Sequence, residues 1–155
     1  MPIPPSFFQN IDPTKIAFIC MGNRDRADDG VGLIIGDELA KYYPNKVFSN
    51  EEDDISVFLL QIIDNENLEH VVLIDAADFD SKPGSILLTS TVNSKVKSIS
   101  THSIPYNQIE LILKERKKDF TLIGIQAKSL EFMGEITKEV LKASKNVIDL
   151  FALRK

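Results

Sequence analysis

Scarcity narrows this chain before any motif does. Its 155 residues hold one cysteine, two histidines and no tryptophan. A single thiol, Cys20, excludes an internal disulfide framework and a cysteine-rich zinc site. It sits in an apolar strand pattern, which favours a buried, inert thiol over a nucleophile. Positive charge is also short. The net charge is −5 and the Lys and Arg residues gather in the second half, so the basic patch of a nucleic-acid binder is missing. The longest apolar run, Ile55 to Ile63, is interrupted by Ser56 and Gln61 and is too short to span a bilayer, which predicts no membrane insertion. The opening Met1-Pro-Ile-Pro-Pro-Ser-Phe-Phe has no basic segment and too much proline for a signal helix, so the expected location is cytoplasmic. Neither a serine-centred nucleophile elbow nor a His-Glu-x-x-His helix occurs, which disfavours a serine hydrolase and an ordinary zinc protease.

The chain does have enough apolar residues for a core: 43% are hydrophobic and 26% charged, ordinary values for one globular domain. Residues 1–14 read as an irregular, proline-rich lead that Phe7 and Phe8 pin to the body, and 15–155 as the folded unit. Lys15 to Met21 predicts a first strand. A helix after Asp29 should end near Tyr42 or Tyr43, because Pro44 restricts the residue before it. A short strand follows around Val47-Phe48. The acidic run Glu51 to Asp54 should be a solvated loop leading into a helix over Ile55–Ile63, with Val57, Phe58, Leu60 and Ile62 against the core. Val71 to Ile74 is the clearest buried strand, and it runs into Asp75-Ala76-Ala77-Asp78. Pro83-Gly84 predicts a type II turn before a strand over 85–89, and residues 91–100 an irregular crossover. A helix carrying Ile109, Leu111, Ile112 and Leu113 should close on Lys114, Arg116, Lys117 and Lys118. Phe120 to Ile125 reads as a further strand, and Thr137 as the cap of a last helix. Strands alternate with helices without a repeat. The expected fold is therefore α/β: one three-layer domain with a twisted, mostly parallel sheet flanked by helices on both faces.

Three strand-to-loop transitions carry polar groups unsuited to a core: Asp28/Asp29, Asp75/Asp78 and His102. If the two acid-bearing strands are parallel neighbours, Asp29 and Asp75 reach one edge of the sheet, and a returning loop could add His102. Two carboxylates and an imidazole suit a divalent transition metal with open coordination positions. They equally suit a metal-free acid/base set. Each residue also has a plain structural reading. The acids before the helix could cap its first turn, Asp75 could tie down a loop, and His102 could bond a carbonyl. His70 reads as a surface residue.

Taken together, the motifs are more specific than any one of them. Gly22-Asn23 with Asp28-Asp29-Gly30-Val31-Gly32, then Asp75-Ala76-x-Asp78 with Pro83-Gly84, then Thr101-His102-Ser103-Ile104-Pro105 resembles the hydrogenase maturation endopeptidases. Gly124-Ile125-Gln126 is similar to a further segment of that family. The resemblance implies an aspartyl-type processing protease. It would remove the C-terminal extension from the large-subunit precursor of nickel–iron hydrogenase after nickel insertion. It further implies that Asp29, Asp75 and His102 are both catalytic residues and metal ligands. The nickel would arrive with the substrate, with other divalent cations able to substitute. Asp28 would be a supporting acid and helix cap. Arg24-Asp25-Arg26 departs from the pattern by placing charges where many members carry apolar or small residues, and Ala127 replaces the common proline. The alternatives are a non-catalytic metal-binding assembly chaperone on the same fold, and a structural module whose acids are only caps.

Overall fold

A computed structural model describes residue 8 and residues 10–99 and 104–152. Its elements run in chain order β1 (Ile16–Cys20), α1 (Val31–Tyr42), β2 (Val47–Ser49), α2 (Ile55–Asp64), β3 (His70–Asp78), β4 (Ile86–Thr89), β5 (Lys97–Ser98), α3 (Tyr106–Glu115), β6 (Asp119–Gln126) and α4 (Lys138–Ala152). The sheet order is β2-β1-β3-β6-β4. Strands β2, β1, β3 and β6 pair in parallel, while β4 is antiparallel to β6 and the two-residue β5 is antiparallel to β3.

Alternation along the strands sorts their side chains onto two faces. Ile16, Phe18 and Cys20 of β1, with Val72, Ile74 and Ala76 of β3, pack under α1 and α4. Ala17 and Ile19, with Val71, Leu73 and Ala77, pack under α2 and α3. Both faces of the central strands are thus covered, as parallel strands need. The expected three-layer α/β fold is what forms. Phe8 is fully buried and its ring meets that of Phe151, so this part of the lead packs on the body; Phe7 lies outside the described residues. Cys20 is fully buried, and burial pushes its thiol pKa far up, which keeps it unreactive.

Several local expectations need correction. On α2 the buried stripe is Ile55, Phe58, Leu59 and Ile62, with Leu60 64% exposed and Val57 only half-buried, so the inward face is rotated from the one expected. On α3 it is Tyr106, Ile109 and Leu113, while Leu111 faces solvent. Lys118 serves the end of α3 only through its backbone amide, which donates to the Leu113 carbonyl at 2.9 Å, and not through its side-chain charge. It is buried, and its ammonium donates to the carbonyls of Asn65 (2.8 Å) and Leu68 (2.6 Å), closing the end of α2. His70 is half-buried rather than on the surface: its Nε2 is 2.8 Å from the Thr121 hydroxyl and Phe8 packs edge-on against the ring. Residues 91–100 include the short β5. The turn at Pro83-Gly84 is as expected, with Gly84 at φ 84° and the Ser85 amide donating to the Lys82 carbonyl. No helix among the described residues is long and apolar enough to cross a membrane.

Candidate active site

Register explains how Asp29 and Asp75 come to the same rim. β1 ends at Cys20, opposite Ile74 of β3, and the Met21 amide still donates to the Ile74 carbonyl at 3.0 Å. Asp75 is the next residue. The expectation that it follows its strand is corrected here, because β3 runs on to Asp78. Past the end of β1 it keeps pairing with β6 (Asp75 opposite Gly124) and gains β5 as a new neighbour. By parity Asp75 shares the face of Leu73 and Ala77, the side of α2 and α3. From α3, the Tyr106 hydroxyl donates to Asp75 Oδ2 at 2.7 Å.

The segment between β1 and α1 brings Asp29 back over the same strand ends. It closes through a 3-10 turn, Ala27–Gly30, with the Asp29 amide donating to the Arg26 carbonyl (3.0 Å) and the Asn23 amide to the Asp29 carbonyl (3.0 Å). Two glycines permit this crowding. A Cβ on Gly22 would collide with the Asp29 carbonyl oxygen, and one on Gly32 with the carbonyl oxygens of Met21 and Ile74. The first turn of α1 therefore sits directly on the backbone at the ends of β1 and β3. Asn50 fixes Gly22 from outside, accepting from its amide and donating to its carbonyl, each at 3.0 Å.

Neither acid of the pair caps α1. The N-cap residue of the helix is Gly30, and no side chain makes a capping bond. Asp28, fully buried, instead turns to the connection between β6 and α4. Its Oδ2 accepts from the amides of Lys128 (2.8 Å) and Ser129 (2.9 Å), and its Oδ1 from the amide of Thr137 (2.8 Å). The Thr137 hydroxyl bonds both oxygens at 3.0 Å, while the Thr137 carbonyl receives the first helical bond of α4, from Leu141. Asp28 is a clamp on a distant segment. Gln126 plays a similar part for the loop after β3, accepting from the amides of Phe79 (2.9 Å) and Ser81 (3.2 Å) and donating to Asp78.

Asp29, also fully buried, is engaged by a cation. Arg26 Nη1 lies 3.3 Å from Asp29 Oδ2, and the two side chains are 33% and 1% exposed. Arg24, two residues earlier, serves elsewhere: its guanidinium bonds Glu51 and Asp37 at 2.9–3.1 Å on the surface. Burial first, then the charge of Asp75 and the hydrogen bond to it, push the Tyr106 pKa well up. A bond with Ser98 works the other way, and the Asp29 charge adds to the rise. The phenol thus stays a protonated donor, and both carboxylates bear on it.

Among the described residues no cluster of three His, Cys, Asp or Glu side chains forms, and the third expected ligand, His102, lies outside them. The two acids present do fit a divalent cation. They are oxygen donors, fully buried, one in the turn folded over the end of β1 and the other on the neighbouring strand β3, and the charge of each reaches the Tyr106 hydroxyl. Sequence reasoning missed Tyr106, Asn50 and the pairing of Arg26. Tyr106 carried one readable signal, its place as the first helical residue after the Thr101-His102-Ser103 motif.

A deep, charged site at the carboxyl ends of parallel strands is where α/β enzymes assemble their chemistry. The family model for hydrogenase maturation protease (HycI) matches residues 55–152, so the chain belongs to the hydrogenase maturation protease family and is a hydrolase of the endopeptidase class. Two proteins of Methanocaldococcus jannaschii designated hydrogenase maturation proteases are similar to it. One is 25% identical over 142 residues, covering 87% of this chain and 92% of its own length. The other is 27% identical over 138 residues, covering 81% and 79%. Among solved structures, a NiFe hydrogenase maturation protease HycI from Thermococcus kodakarensis superposes with a TM-score of 0.75 at 20% identity, over 96% of each chain. The maturation protease HybD of the same organism gives 0.67 at 24% identity, over 90% of this chain and 98% of its own. These two share the fold.

Proposed function

We propose that this endopeptidase removes the C-terminal extension of a nickel-loaded NiFe hydrogenase large-subunit precursor, and that Asp29, Asp75 and His102 grip the nickel carried by that substrate. The observation that supports it most is the full burial of both Asp29, in the turn folded back over the end of β1, and Asp75, on the neighbouring parallel strand β3, with the charge of each bearing on the Tyr106 hydroxyl. Two carboxylate oxygens and an imidazole nitrogen leave coordination positions for ligands from the substrate, so a seated ion would fix the scissile peptide at this rim. The reaction is hydrolysis: water adds to the peptide carbonyl, the C–N bond breaks and a proton reaches the leaving amine. Carboxylates at the rim are groups able to carry that proton.

The test is to incubate the protein with nickel-loaded and nickel-free precursor and to follow shortening of the large subunit. Cleavage of the loaded form alone is expected. Equal cleavage of both would remove the metal from recognition, and loaded precursor left bound but intact would assign the protein to assembly without cutting.

A further inference from the structure

The buried acid proposed as a metal ligand already has a cation. Asp29 is 1% exposed at the side chain, and a carboxylate so withdrawn from water needs positive charge or strong donors near it. Arg26 supplies charge at 3.3 Å, and its own side chain is 33% exposed. Its backbone is fixed at both ends, with the amide donating to the Asn23 carbonyl at 3.3 Å and the carbonyl accepting from Asp29 at 3.0 Å. The guanidinium can therefore leave Asp29 for solvent without moving the loop. Arg24 offers the contrast, being engaged by two surface acids through both of its edges.

We propose that Arg26 is a resident counter-cation for Asp29 that an incoming divalent metal must displace, so that it sets how weakly the site holds metal outside the substrate. The inference rests on the reading of Asp29 as a metal ligand. A guanidinium and a divalent ion on one buried carboxylate repel each other strongly, because surroundings that exclude water screen them little. Occupancy by one then disfavours the other, and the coupling is reciprocal. The apparent affinity for free metal is the intrinsic affinity multiplied by the fraction of molecules in which Arg26 has already left. A metal delivered inside a protein substrate has the rest of the docking surface to help displace Arg26, and a free ion does not. That difference is what a device for sensing cargo in a precursor requires.

Calorimetric titration with nickel chloride alone tests this. Arg26→Gln should bind nickel about tenfold more tightly than the unchanged protein, within the usual range of such couplings. Arg26→Lys should stay nearer the starting value, Arg24→Gln should not change it, and Asp29→Asn should lose the site. An Arg26→Gln affinity equal to that of the unchanged protein, with Asp29→Asn still losing binding, overturns this inference alone. An equal gain from Arg24→Gln also overturns it, since bulk charge would then explain the effect. Nickel binding that survives Asp29→Asn instead refutes the ligand reading. A readout on the unchanged protein needs no variant to fold: saturating zinc, a diamagnetic divalent stand-in for nickel, should shift the Arg26 side-chain N–H resonance and speed its exchange with solvent. An unmoved resonance at saturation rules displacement out.

Discussion

Asp28 and Asp29 are adjacent, identical in chemistry and equally buried, yet the fold uses them for opposite purposes. Asp28 accepts from three backbone amides and a threonine hydroxyl, all on one distant segment. Asp29 is engaged instead by a partly exposed arginine, and its charge bears on the Tyr106 hydroxyl. The first carboxylate is consumed by structure. The second is held by a partner that can leave. The difference shows that a motif of two acids divides labour by direction: a 3-10 turn rotates successive side chains by about a third of a circle, so neighbours look at different surroundings.

The largest effect should come from removing the clamp. Asp28→Ala leaves three amides and a hydroxyl without their acceptor, and should cost about 3 kcal/mol in urea unfolding. Asp28→Asn should recover part of that, because one oxygen remains to accept. Asp29→Asn should cost less than half of the Asp28→Ala loss, and a larger cost would break the division of roles. Next in size is Tyr106→Phe, which removes the donor 2.7 Å from Asp75 Oδ2. It should cost about 1–2 kcal/mol in stability and weaken nickel binding about tenfold, as loss of a group that orients a ligand does. Unchanged nickel affinity would place Asp75 outside the metal's reach.

The smallest effect concerns pH, and it lies away from the acid pair. Burial pushes the His70 pKa below its ordinary value, with Asp119 opposing. The unfolded chain therefore binds the proton more readily than the folded one. The contribution of His70 is complete above the ordinary histidine pKa and is lost as pH falls from there to the lower folded value. His70→Gln should flatten the stability profile in that window, as seen in melting temperature against pH. A slope that persists in the variant would have to be traced back toward the site.

Much of this architecture was readable in the residues, because apolar periodicity and turn chemistry report on burial directly. The strand Val71–Ile74, the Pro83-Gly84 turn and the stop of α1 before Pro44 all follow from local rules. What escaped were facts decided across the fold. Leu59 points inward and Leu60 outward because of where α2 rests on the sheet, and both are leucine. Lys118 reads as one more cation in a basic cluster until the carbonyls of Asn65 and Leu68 come within its reach. At the site, Asp29 and Asp75 were legible as candidates by their position after apolar runs. The partners that distinguish them, Arg26 and Tyr106, were not, because three-residue spacing in a loop and a contact between β3 and α3 leave no periodic trace.

The Asp28 clamp also imposes an order of events on synthesis. The carboxylate leaves the ribosome 100 to 109 residues ahead of the groups that bind it, and chains are made and begin to fold from the N-terminus. Until Lys128, Ser129 and Thr137 have emerged, the loop that carries Asp29 lacks the anchor that Asp28 gives it. A nascent chain cut short before α4 would thus own every acid of the site and still lack a finished one.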